Sequence, residues 1–173
     1  MHNDGSFHRW QDALTEQNIH LLESNTSPLA LPTGVVIDAQ NKWTLIESLC
    51  TALCTREKLD ATISSAIHKE LIAREKLMST GIGEQMAIPH AVIPEACRFM
   101  TECVIIKNGL DFDSIDTHKA YIVVLLVAPK AALQEHLQVM ASIARVFYKV
   151  EARTQFIAAR TATDALQIVR AHA

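Results

Sequence analysis

The chain has 173 residues, enough for one domain with a substantial core. Hydrophobic residues make up 49% but aromatic ones only 5%, so the core must be aliphatic, which suits helices on a buried sheet better than a β-sandwich. A net charge of −3, with no basic block, disfavours nucleic acid, whose phosphates are bound by clustered positive charge.

No apolar run reaches the roughly 18–20 residues that span a bilayer. The opening M-H-N-D-G-S-F-H-R-W lacks the basic-then-apolar pattern of a signal peptide. Cys50 and Cys54 sit four apart on a predicted helix, and Cys97 and Cys103 flank a strand start, which is no disulfide framework. A soluble, reduced, cytoplasmic protein without membrane insertion is expected.

In chain order, Phe7, Trp10, Leu14 and Leu21 recur at helical spacing and predict a short helix or docking arm over residues 7–24. Residues 25–34 hold two prolines and a glycine and read as a linker. Residues 1–33 are therefore expected to be an N-terminal extension, and 34–173 the folded module. Val35–Ile37 predicts a strand and Lys42–Cys54 a helix. Asp60 is a plausible N-cap for a helix over Ala61–Lys76, with Ile63, Ala66, Ile67 and Leu71 inward. Met86–His90 and Glu102–Lys107 read as strands, the second closed by an Asn108-Gly109 hairpin turn. Ala120–Ala128 is a continuous apolar, β-branched run, a central strand buried on both faces and ended by Pro129. Leu133–Val150 predicts a helix with a stripe of Leu133, Leu137, Met140, Ala144 and Phe147; helices over Glu151–Arg160 and Asp164–Ala171 follow. The alternation predicts an α/β fold, a layered mixed β-sheet flanked by helices.

Arg74 to His90, R-E-K-L-M-S-T-G-I-G-E-Q-M-A-I-P-H, concentrates the chemistry. Arginine offers a planar fork of donors matched to phosphate. Ser79 and Thr80 add hydroxyls, Gly81 and Gly83 let the backbone approach a bound group, and His90 is a neutral nucleophile at pH 7 that can carry a transferred group. Each piece also has a plainer reading: a solvated helix end, a turn, a buttressing histidine. Arg74 falls within about 20° of Ile63 on its helix face, at roughly 100° per residue. A charge there marks a functional break in the pattern or an inward ion pair with Glu70. His136, about 60° from Leu133 on the next wheel, lies at the edge of its stripe, near the carboxyl end of the central strand where ligands collect.

The words Arg74-Glu75, Ser79-Thr80-Gly81-Ile82-Gly83 and Ala87-Ile88-Pro89-His90 resemble a known family. So does a second block, Phe112-Asp113-Ser114-Ile115-Asp116, the run Ile122–Ala128, and Glu135-His136-Leu137. The family is the enzyme IIA domain of the fructose/mannitol class of the bacterial phosphoenolpyruvate-dependent phosphotransferase system, including its nitrogen-regulatory branch. The resemblance covers roughly residues 33–172. It implies a phosphotransferase in which His90 is phosphorylated by an HPr-like phosphocarrier protein, with Arg74 and His136 lining the pocket. Ser79 and Thr80 are expected to bind the phosphoryl group, and no cofactor or metal is required. The acceptor is either a regulatory target protein, signalled by the phosphorylation state, or a sugar permease domain. The lack of a fused transporter or carrier domain in this sequence favours the regulatory branch. The family pattern has glycine two residues before Ala87, where Gln85 stands and brings a Cβ. Metal binding competes weakly, since eight histidines and four cysteines form no C-x₂-C or H-x₃-H pair.

Overall fold

Capping chemistry sets the helix starts. The computed structural model describes residues 10–96 and 98–173. Helix α1 (Lys42–Arg56) begins at a capping box in which the Asn41 side chain accepts from the N–H groups of Trp43 and Thr44, while Thr44 answers to the Asn41 N–H. Asp60 caps α2 (Ala61–Leu77), accepting from Ile63 N–H at 2.9 Å. Helix α3 (Leu133–Tyr148) follows a single 3₁₀ turn after Pro129. Helices α4 (Val150–Ala158) and α5 (Ala162–His172) complete the set, the last opened by a Thr161/Asp164 capping box.

The strands are β1 (Ile19–Leu22), β2 (Leu29–Ala30), β3 (Val36–Ile37), β4 (Gly81–Gly83), β5 (Met86–Ala87), β6 (His90–Ile93), β7 (Met100–Leu110) and β8 (Ala120–Pro129). The main sheet runs β1-β7-β8-β5-β4, with β6 also paired to β8. Strand β7 is antiparallel to β8, whereas β1 is parallel to β7, and β5 and β6 are parallel to β8. The sheet is thus mixed, as the α/β reading expects. Its central strand is the apolar run: Ile122 through Ala128 are all at most 2% exposed, each large side chain contributing about 1.5–3 kcal/mol by burial. Alternate residues of β7 and β8 face two cores. Val104, Ile106, Val123 and Leu125 pack with α1 and α2; Cys103, Ile105, Ile122 and Val124 pack with α3, α4 and α5.

Three expectations need correction. The segment 7–24 is not one helix: Trp10–Ala13 is a 3₁₀ turn, and Ile19–Leu22 is an edge strand pairing with Cys103–Ile106, while Phe7 lies outside the described residues. Trp10, Leu14 and Ile19 are at most 3% exposed, and backbone hydrogen bonding to β7 outweighs a weak helical period. Asn108-Gly109 is not a hairpin turn. Gly109 (φ 69) lies within β7, where the pairing with β8 shifts register between Ile105 and Leu110, and the connection runs through residues 111–119. Helix α3 buries His136, Val139, Ile143, Val146 and Phe147, whereas Leu133 and Leu137 are 56% and 63% exposed. Its inner face is turned by about a quarter turn from the leucine stripe. Among the described residues, no helix is long and apolar enough to cross a membrane.

Candidate functional site

His90 opens β6 at a break in the strand, since Ile88-Pro89 separates β5 from β6. On that side β8 is its neighbour, with His90 opposite Leu126. The break leaves the imidazole between the two helical layers. Its Nδ1 lies 2.9 Å from the Ile88 carbonyl. A carbonyl only accepts, so Nδ1 carries the proton and Nε2 keeps its lone pair. Arg74, from the last turn of α2, donates its Nε–H to that Nε2 at 3.1 Å and an Nη1–H to the Met78 carbonyl at 2.8 Å. Among the described residues, no ion pair joins Arg74 to the exposed Glu70. Burial, and the nearby guanidinium, lower the His90 pKa below its ordinary value, although the Ile88 bond and Glu75 oppose this.

His136 comes from the first turn of α3 in the opposite layer. Its ring centroid lies 5.3 Å from that of His90. It is 3% exposed, and burial, then the neighbouring His90, push its pKa down to about 4. Both rings are therefore neutral at pH 7. The His136 Nδ1 is buried without a hydrogen-bond partner, a cost unless some group comes to meet it.

The hydroxyls expected to bind the phosphoryl group are engaged by the fold. Thr80 donates its hydroxyl to Glu75 Oε2 at 2.6 Å and its N–H to the same oxygen at 3.0 Å. Ser79 donates to the Phe112 carbonyl and accepts the Gly81 N–H. Both side chains shape the loop as it stands. Glu75, 2% exposed, also meets Lys42 Nζ at 3.0 Å, and Lys42 reaches Asp113 at 2.7 Å. Burial opposes the Lys42 charge, but these two carboxylates hold its pKa above the ordinary value. Lys42, Glu75 and Thr80 thus tie α1, α2 and the loop together. Sequence reasoning missed Lys42 and gave Glu75 no role. The available signal was a glutamate beside Arg74 on an inward helix face.

The second sequence block is explained by the same loop. Gly81 stands where a Cβ would fall 2.4 Å from Ser114 Oγ, so the 112–116 segment packs against it. Asp116 accepts the Glu84 N–H at 2.9 Å. Glu84 and Gln85 form the two-residue turn of the β4–β5 hairpin, with φ 51 and 64, and Glu84 pairs with Arg153 of α4 at 2.9 Å. Gln85 therefore adopts the positive φ that its place in the sequence pattern anticipates. Among the described residues, no group of three or more His, Cys, Asp or Glu is placed to hold a metal.

Residues 33–172 match the family described as phosphoenolpyruvate-dependent sugar phosphotransferase system, EIIA 2. A nitrogen regulatory protein of Pseudomonas aeruginosa is 35% identical over 107 residues, covering 61% of this chain and 69% of the relative. The PTS system fructose-specific EIIABC component of Bacillus subtilis is 30% identical over 140 residues, 79% of this chain. This chain spans only 21% of that relative's length. Among solved structures, nitrogen regulatory protein IIA-Ntr from Neisseria meningitidis superposes with a TM-score of 0.74 at 23% identity, covering 92% of this chain and 98% of its own. Enzyme IIA of the mannitol system of Escherichia coli, solved in complex with phosphorylated enzyme IIB, gives 0.69 at 18% identity, covering 91% and 97%. At these identities the structural likeness carries the fold.

Proposed function

The chain belongs to the phosphoenolpyruvate-dependent sugar phosphotransferase system EIIA 2 family, and on that premise we propose that it is a cytoplasmic phosphohistidine relay domain acting through His90. The observation that carries this reading is the tautomer: Nδ1–H bonded to Ile88 leaves an unprotonated Nε2 facing Arg74. In the transfer, a bond forms from Nε2 to phosphorus as the bond to the donor's nitrogen breaks, and Nδ1 keeps its proton. The Arg74 fork turns from the nitrogen lone pair to the phosphoryl oxygens, neutralising charge in a loose transition state. His136, neutral and in the same pocket, supplies a hydrogen bond to a phosphoryl oxygen. Ser79 and Thr80 act by holding the loop, its backbone N–H groups and Gly83 included.

Exposed apolar side chains neighbour the pocket residues in sequence. Leu77 and Met78 follow Arg74, Ile115 lies in the buttressing 112–116 segment, and Leu133 and Leu137 bracket His136. Such side chains suit transient docking of a phosphocarrier protein and then of an acceptor. Nitrogen regulatory proteins among the relatives support an output set by phosphorylation state. The fructose-specific relative supports the second reading, delivery to a sugar permease domain.

Incubation with phosphoenolpyruvate, the system's first enzyme and its carrier is expected to add one acid-labile, base-stable phosphate. Label that persists in His90→Ala overturns the assignment. Phosphorylation brings nearly two negative charges to the pocket. A regulatory target should therefore be retained from extract by His90→Ala and lost by His90→Glu. Equal retention of a sugar permease on both favours delivery.

A further inference from the structure

Away from the phosphotransfer pocket, α1 and α2 leave a solvent-open cleft of about 300 Å³. Its floor is Cys50 and Cys54, one turn apart on α1, and its α2 wall carries Ser64 and His68. The two sulfurs lie 4.0 Å apart, and the side chains are only 3% and 7% exposed. Neither thiol contributes to the site around His90.

Helix geometry limits what the pair can do. Residues four apart on a helix hold their Cβ atoms about 5–6 Å apart, whereas a disulfide requires roughly 3.5–4.5 Å. Oxidation to a disulfide would have to squeeze the helical turn. A bridging ion avoids that strain. Two metal–sulfur bonds of about 2.3 Å span roughly 3.8 Å at the tetrahedral angle and about 4.6 Å when collinear. The observed 4.0 Å lies nearer the bent limit, so the near-collinear geometry of a two-coordinate ion requires the sulfurs to part by about 0.6 Å, a shift that small side-chain rotations supply. No third His, Cys, Asp or Glu completes the set among the described residues, so a four-coordinate zinc centre is not provided. Thiolates select soft ions, and Cu(I) is the one that two sulfurs alone can satisfy.

We propose that Cys50 and Cys54 form a two-sulfur binding site for a soft monovalent cation of the Cu(I) class, reached through the Ser64–His68 cleft. The ion arrives as Cu(I) from a chelate and keeps its oxidation state. Two copper–sulfur bonds form, and two thiol protons leave to solvent. His68, half-exposed and 3.6 Å from Glu47, sits at the entrance rather than in the first coordination shell.

The test is anaerobic competition for Cu(I) against a chromophoric chelator, using the full chain. Wild type is expected to take one equivalent. Cys50→Ser or Cys54→Ser should weaken binding by more than about a hundredfold, beyond the 10–100-fold cost of outer-shell changes. The Cys97→Ser/Cys103→Ala variant should bind as wild type does. Alkylation mapped by mass spectrometry on the wild-type protein gives a readout that needs no variant: one equivalent of Cu(I) should protect both Cys50 and Cys54. Undiminished affinity in the Cys50→Ser/Cys54→Ser variant, failure of wild type to compete, or no protection of the pair overturns the site.

Discussion

Arg74 shows what a guanidinium does that an ammonium cannot. Its Nε–H meets His90 while a separate N–H meets the Met78 carbonyl, so one side chain is both oriented and aimed. Lysine offers a point charge on a flexible stem and loses one of these contacts. Arg74→Lys is expected to slow phosphoryl transfer to His90 at least tenfold, about 1.4 kcal/mol of barrier. Rapid-quench kinetics with a phosphorylated carrier measures it. Stability should hold within about 0.5 kcal/mol, because Arg74 is only half-buried and outside the core. At this scale, residue type and motif anticipated that Arg74, His90 and His136 come together. The partners of Ser79 and Thr80 were not, because a hydroxyl beside a glycine loop looks the same whether it awaits a ligand or is already bonded to Glu75 or Phe112.

The β4–β5 hairpin stores local backbone strain. Glu84 and Gln85 both adopt left-handed φ, which costs an L-residue roughly 1–2 kcal/mol. Glycine at position 85 removes that cost and gives back about 0.5–1 kcal/mol in chain entropy. Gln85→Gly is therefore expected to raise stability by about 0.5 kcal/mol in urea unfolding, with transfer to His90 unchanged. Gln85→Val should lower it, since a β-branched residue tolerates positive φ poorly. Elements bounded by caps or turn residues, or built on a long apolar run, were read well: α1, α2, α4, α5 and β8 lie near their expected places. Strands of two to four residues, β1 and β4 among them, leave too short a pattern to read. Helix α3 carries apolar residues on two adjacent faces, so periodicity alone could not choose between them.

The whole molecule sets the pH response by burying two neutral imidazoles where its two helical layers meet at the sheet. The folded pKa of His136 is about 4, against an ordinary 6.5 when unfolded. Below pH 6.5 the unfolded chain takes the proton first, so stability is full above pH 6.5 and is lost as pH falls toward 4. The loss is on the order of 3 kcal/mol, with a smaller one of the same sign from His90. His136→Gln is expected to flatten the stability profile between pH 6.5 and 4; an unchanged slope in denaturant titrations across that window would place the acid sensitivity elsewhere. The sequence by itself determined the reactive groups, the capped helices and the buried central strand, because side-chain chemistry, caps and a long apolar run are local properties. Only the tertiary structure decided which nitrogen of His90 is free, that the two imidazoles stand 5.3 Å apart, and that residues 19–22 form a sheet edge. Those depend on contacts between residues distant in sequence, Arg74 with His90 at 16 positions and Ile19 with Cys103 at 84, which no local pattern encodes.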